Sequence, residues 1–275
     1  MTDNDLQVDC YGLTDVGKVR KVNEDQFLIA SMRKVMEIEQ SSLPRQTREQ
    51  MHGRAMARLL LVADGVGGAA AGEEASGLAL ETVATYVTTT MKCFYQLDKQ
   101  FEGDLLSELE HSVRQSHAIV QSAAESTPER QGMATTLTVV HVLWPTAYLV
   151  HVGDSRCYLF RDSGLTQLTR DQTLAQDMVE RGVLTADRAD DSEWSHMLSG
   201  AVGAQIAPDT SKVELARGDT LLLCTDGLTK HLKTAQITDV LRVAESAEGA
   251  CRKLVTTALD RGGTDNVTVV VSRFA

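Results

Sequence analysis

Apolar residues fall into two patterns along this chain. Short, dense runs at 59–63, 221–224 and 267–271 are too short for helices and predict buried strands. Weaker alternation predicts a strand over 6–11, a turn over 12–17 and a strand ending near residue 30. Further strands are expected over 134–142, 147–152, 156–160, 213–215, 220–224 and 267–272. Apolar positions at helical spacing predict long helices over 69–95 and 105–124, the second ended by Pro128. A short helix over 171–181 ends at Gly182, a surface loop follows over 185–194, and helices are expected over 234–244 and 247–259. The order is strands, two helices, strands, two helices, strand. Successive short strands argue for antiparallel hairpins, so the expected fold is α+β: two antiparallel sheets packed face to face with a helix pair outside each. Residues 1–275 are expected to form a single domain with no internal linker. Residues 32–58 carry six basic residues against three acidic ones and read as a long exposed insertion within a hairpin.

Several of the apolar runs share an ending. Residues 59–63 lead into Asp64-Gly65, followed by Gly67 and Gly68; 221–224 lead through Thr225 into Asp226-Gly227; 148–152 lead into Gly153-Asp154. Asp265-Asn266 stands just before 267–271, and Asn23-Glu24-Asp25 just before Phe27-Leu28-Ile29. If these strand ends meet at one edge, carboxylates gather a few ångströms apart and repel one another unless cations lie among them. Oxygen donors suit a hard ion, Mg²⁺ or Mn²⁺, and a pair of ions would resolve the repulsion.

Charge and composition narrow the field. The net charge of −11 argues against broad nucleic-acid binding. No apolar run approaches the ~18 residues of a membrane span, and the acidic start of the chain is unlike a signal peptide. The five cysteines are scattered without zinc-type spacing and read as reduced, buried thiols of a cytoplasmic protein. No histidine has metal-ligand spacing with another, so none is assigned to the site.

In order, Arg20-x-x-Asn23-Glu24-Asp25, Asp64-Gly65-x-Gly67-Gly68, Gly132-x-Ala134-Thr135-Thr136, Val152-Gly153-Asp154-Ser155-Arg156, Thr225-Asp226-Gly227 and Gly263-Thr264-Asp265-Asn266 resemble the metal-dependent protein phosphatases, type 2C or PPM, in their bacterial form. The resemblance covers nearly the whole chain. It implies a β-sandwich flanked by helix pairs and hydrolysis of phosphoserine and phosphothreonine in proteins by a water activated between two Mg²⁺ or Mn²⁺ ions. It also implies the roles. Asp64 bridges the ions, the Gly65 carbonyl binds one, and Asp226 and Asp265 complete the shell of the other. Glu24 and Asp25 hold metal-bound waters, Arg20 grips the phosphate, and Asp154 matches the position of a weaker third ion. Residues 171–203 match a flap beside the site. The implied partners are phosphorylated proteins, a protein kinase or its targets, met by a monomer. Two positions depart from the family. Val66 stands where many eukaryotic members carry histidine, and Lys230 where an aspartate is frequent. Lys230 is therefore expected to pair with Asp154 and compete with the third ion. The rival readings are a regulatory or interaction module that kept the fold without activity, and a phosphatase of small phosphate esters.

Overall fold

The computed structural model describes residues 6–37, 50–67, 69–91, 101–189 and 192–275. Its organising strand is β3 (Gln50–Val66). Leu59, Leu61 and Ala63 pack into a core shared with α1 (Ala69–Thr89) and α2 (Phe101–Ala124). Leu60 and Val62, on the opposite face, pack with Leu221 and Leu223 of β10 (Thr220–Cys224) and Val270 of β11 (Val267–Phe274). That is why the run is apolar without alternation: one face meets helices and the other meets a second sheet.

The first sheet has the order β1 (Val8–Asp15), β11, β10, β7 (Arg156–Arg161), β8 (Gly164–Gln167). The second runs β2 (Asp25–Glu37), β3, β5 (Leu137–Leu143), β6 (Thr146–Val152), β9 (Asp209–Glu214), and the two-residue β4 (Ala134–Thr135) pairs the end of β3. Every pairing is antiparallel. Helices α6 (Thr234–Val243) and α7 (Ala247–Asp260) cover the first sheet, with Ile237, Leu241, Leu254 and Ala258 against Leu222, Cys224 and Val269. The four-layer α/β/β/α sandwich is thus the fold observed.

The structure corrects several boundaries. Strand β1 continues through Gly12, which was expected in a turn; a Cβ there would lie 2.3 Å from the Phe27 ring, so the glycine seats that ring. Strands β2 and β3 extend as a paired hairpin to Glu37 and back from Gln50, so residues 32–37 and 50–58 are not loop. Register shifts beside Arg33 scramble the alternation that would have revealed them. The rest of the expected insertion lies outside the described residues. Residues 171–203 contain α3 (Leu174–Glu180) and α4 (Ala186–Ala189). Among the described cysteines, Cys157, Cys224 and Cys251 are buried free thiols and Cys10 is half-buried; Cys93 lies outside the described residues. No helix among them is long and apolar enough to cross a membrane.

Gly77, inside α1, has nothing within 4 Å of where a Cβ would stand. Gly77→Ala should therefore gain helix propensity without strain, roughly 0.8–1 kcal/mol. A thermal scan should show a midpoint about 2–4 °C higher; a lower midpoint would mean that the helix needs the glycine.

Candidate metal centre

Antiparallel pairing brings the start of β2, the end of β3, the end of β10 and the start of β11 to one edge of the sandwich. Asp25 and Asp64 are direct partners in the β2–β3 register, which sets two carboxylates opposite each other. Asp226 opens α5 (Asp226–Thr229) just past β10, Asp265 lies just before β11, and Asp154 just past β6. Glu24 precedes β2 by one residue, and Gly65 is paired with Thr135 of β4. All the carboxylates singled out from sequence therefore sit at strand ends.

Threonines and an asparagine hold this edge together. Thr136 Oγ1 accepts from the Asp64 amide at 2.9 Å, while the Thr136 amide and the Thr135 hydroxyl donate to the Asp64 carbonyl, each at 2.9 Å. Thr225 Oγ1 donates to Asp25 Oδ2 at 2.8 Å and accepts from the Thr268 amide at 3.0 Å, tying β10, β11 and β2 through one hydroxyl. Asn266 Oδ1 accepts from the Glu24 amide at 2.9 Å, and its Nδ2 donates to the carbonyls of Val16 and Val22. Asn266 thereby anchors the chain around Glu24. Two glycines allow the close approaches. A Cβ on Gly65 would lie 2.1 Å from the Gly72 carbonyl oxygen, and one on Gly227 would lie 1.9 Å from that of Asn266.

The charges divide into two groups. Asp265 takes Arg20 Nε at 2.8 Å on Oδ1 and Arg20 Nη2 at 3.0 Å on Oδ2. Lys230 Nζ lies 2.6 Å from Asp226 Oδ2 and 2.7 Å from Asp265 Oδ2. The expected pairing of Lys230 with Asp154 is therefore corrected. The short helix α5 puts Lys230 one turn after Asp226, on the same side, and the nearest carboxylates are Asp226 and Asp265. Burial alone would raise the Asp265 pKa, but Lys230 and Arg20 outweigh it and hold the carboxyl below its ordinary range. In the second group burial outweighs the cations nearby, Arg20 beside Glu24 and Lys230 beside Asp154. Burial, reinforced by the neighbouring carboxylates, raises Asp64 well above the aspartate range, Asp25 to about 7 and Asp154 to about 8. Burial also raises Glu24.

Three carboxylate oxygens here are buried with no hydrogen-bond partner: Glu24 Oε1, Asp25 Oδ1 and Asp226 Oδ1. Buried acceptors of this kind are costly unless something fills them. The donors are all oxygen, the preference of a hard divalent cation. Among the described residues no three acidic, histidine or cysteine side chains yet converge on one point; Lys230 bridges two of the carboxylates that would have to close in. The residues nevertheless fit such an ion in donor type, charge and unfilled acceptors.

Sequence reasoning missed Gln172. Its amide donates to the Gly153 carbonyl at 2.7 Å, its Oε1 accepts from the Gly153 amide at 3.1 Å, and its carbonyl accepts from the Ser199 amide. Its Nε2 reaches the Ala207 carbonyl and Asp209. One buried side chain thus pins both roots of the 171–203 segment to the turn that carries Asp154. Arg156 adds a bidentate pair with Asp171 at the same root. A lone glutamine in a polar stretch gives no local signal. His151, bonded to Thr138 and the Gly153 carbonyl, is likewise structural, and burial lowers its pKa.

The family model described as Protein phosphatase 2C matches residues 37–261. The serine/threonine protein phosphatase PstP of Mycobacterium tuberculosis is 40% identical over 217 residues, 78% of this chain; the matched segment spans 40% of that protein's length. Protein phosphatase PhpP of Streptococcus pneumoniae is 30% identical over 262 residues, 94% of each chain. The crystal structure of the M. tuberculosis phosphatase superposes with a TM-score of 0.78 at 33% identity, covering 97% of this chain and 98% of that one. A structure of the PstP catalytic domain in complex with two manganese ions superposes with a TM-score of 0.76 at 33% identity, covering 98% of this chain and all of that one.

Proposed function

From the chain's membership of the protein phosphatase 2C family, we propose that it hydrolyses phosphoserine and phosphothreonine in proteins at a two-metal centre, with Mn²⁺ or Mg²⁺. The observation that carries this reading is the set of buried, unpartnered carboxylate oxygens on Glu24, Asp25 and Asp226, gathered at one sheet edge with Asp64 and Asp265. When bound, two divalent ions lower the pKa of a shared water and neutralise charge on the phosphoryl group.

The chain's own residues supply the rest. Asp64, the Gly65 carbonyl, Asp226 and Asp265 would hold the two ions, and Asp154 would serve a weaker third. Glu24 and Asp25 are set deeper, at 8% and 1% exposure, and their free oxygens accept hydrogen bonds from water and orient it. Arg20 keeps half its side chain in solvent, and its planar fork matches two phosphate oxygens. Its present partner, Asp265, keeps that fork at the site until substrate arrives. Residues 171–203, pinned by Gln172, form the flap that shapes access, and the described residues act as one catalytic domain. The partners are phosphorylated proteins and the kinases that oppose this activity.

Hydrolysis of p-nitrophenyl phosphate and of a phosphothreonine peptide tests the reading. Both activities should vanish in excess EDTA and return with Mn²⁺; full activity in chelator would refute it. Arg20→Ala should lower kcat/KM by about 10–100-fold, the equivalent of a charge-assisted hydrogen bond worth roughly 1.5–3 kcal/mol, with Mn²⁺ affinity nearly unchanged. An unaltered kcat/KM would leave Arg20 only its bond to Asp265.

A further inference from the structure

The ammonium of Lys230 stands on the two carboxylates, Asp226 and Asp265, that the metal reading gives to one ion. It touches an oxygen of each, at 2.6 and 2.7 Å. Those are full charge-assisted contacts, and they bring together residues from two different strand ends. An ammonium can do this without stripping a hydration shell from a divalent ion, because it carries three donors and one charge on a stem four carbons long. It cannot share the place. A small divalent ion such as Mg²⁺ held by the same oxygens would need roughly 2.0–2.1 Å to them, inside the volume that the nitrogen fills.

The contacts are specific to this cation. Arg20 pairs with the Asp265 carboxyl, and among the described residues Lys230 is the cation that joins Asp265 to Asp226. Asp226 keeps its other oxygen buried and without a partner, so the ammonium leaves coordination capacity unused. The side chain retains 23% of its exposure, which gives it a route to solvent.

We propose that Lys230 is a tethered counter-ion of the metal-free protein: it holds Asp226 and Asp265 together in place of a divalent ion, and it must leave before that ion binds. This rests on the metal reading above. Its consequence is a built-in threshold. The chain folds and keeps these two carboxylates paired without metal, and takes up the second ion only where the free cation concentration is high enough to displace the lysine. An affinity measured against an occupied site is weaker than the intrinsic one by the fraction of time that the site is open.

The test is calorimetric titration of the metal-free full chain with Mn²⁺, alongside thermal scans in EDTA and in saturating Mn²⁺, for wild type, Lys230→Met and Lys230→Arg. If the ammonium occupies the site nine-tenths of the time or more, Lys230→Met should bind the weaker ion about tenfold or more tightly at unchanged stoichiometry. It should melt lower than wild type in EDTA and gain more from Mn²⁺. Lys230→Arg keeps the charge and should bind Mn²⁺ no more tightly than wild type, which preserves the test if the methionine variant does not fold. Unchanged or weaker binding by Lys230→Met, or tighter binding by Lys230→Arg, would overturn the proposal while leaving the metal reading intact. An absence of Mn²⁺ binding in wild type and variants alike would overturn both.

Discussion

Asp64→Asn should abolish turnover and at the same time stabilise the metal-free protein at neutral pH. Removing one preorganised hydrogen-bond donor from a catalytic centre costs about 10²–10³ in kcat, and Asp64 is the carboxylate proposed to serve both ions, so a loss of at least that size is expected. The stabilising effect comes from the same burial. Asp64 has its pKa raised by desolvation and by the charges of Asp25, Asp226, Asp154 and Asp265, so ionising it in the folded, metal-free protein is unfavourable. For an acid whose folded pKa lies above its unfolded value, stability is fully present below the unfolded pKa and is lost as pH rises through the folded one. Asp25, at about 7, and Asp154, at about 8, act in the same direction. Histidines with lowered pKa values, His141 at about 4 among them, act oppositely, but only below about pH 6.5. In chelator the wild-type melting temperature should therefore fall from pH 6.5 to 8.5, and Asp64→Asn should fall less. In saturating Mn²⁺ the slope should flatten or reverse, because an ion binds the deprotonated carboxylates. Circular-dichroism melts across that range, paired with phosphatase assays, read all of this. Retained activity in Asp64→Asn, or a wild-type melting temperature in EDTA that rises with pH, would contradict it.

Gly227→Ala should damage stability and activity together. The new Cβ would stand 1.9 Å from the Asn266 carbonyl oxygen and 2.9 Å from its carbon. Both are main-chain atoms, so no side-chain rotation relieves the contact. Either α5 moves, taking Asp226 and Lys230 with it, or the chain at Asn266 moves, taking Asp265. Overpacking of this sort costs about 1–3 kcal/mol, and at roughly 2–4 °C per kcal/mol the melting temperature should drop by several degrees. A displacement of about 1 Å at a reacting centre can cost ~10²-fold, so kcat/KM should fall well beyond what the lost stability explains. Gly77→Ala is the control, since the same methyl group there meets open space. Wild-type melting and kinetics in Gly227→Ala would show that the two segments yield more easily than their backbone contact implies.

Buried, regular stretches declared themselves in sequence, and short or irregular ones did not. Residues 220–224 are a strand with the predicted limits because all five are buried. Strand β8 has four residues, three of them exposed, and no pattern to read. The outer arms of the β2–β3 hairpin were lost to the register shifts beside Arg33, which move consecutive residues off the period-two alternation. At the site, the carboxylates were legible because an acidic residue at a strand end close to glycine or asparagine is a local signal. The partner of Lys230 was not. Its spacing of four from Asp226 is the spacing of a helical ion pair, but a four-residue helix gives no periodicity to reveal that the rule applies. The roles of Thr225 and Gln172 depend on contacts with residues far along the chain, which no local pattern encodes.

The placement of β11 bears on how the protein is made. It lies between β1 and β10, and Val8 pairs with Phe274 across nearly the whole length of the chain. During synthesis β1 emerges from the ribosome early and has no strand beside it until β11 follows, and Asp265 and Asn266 arrive only just ahead of that strand. Pairings this distant in sequence form slowly. A chain whose translation stops before residue 267 would have both carboxylates of the Asp25–Asp64 pair but would lack the strand that joins β1 to β10. The candidate metal centre and the first sheet are therefore completed together, when β11 docks, and products truncated before residue 267 should lack both and be readily proteolysed.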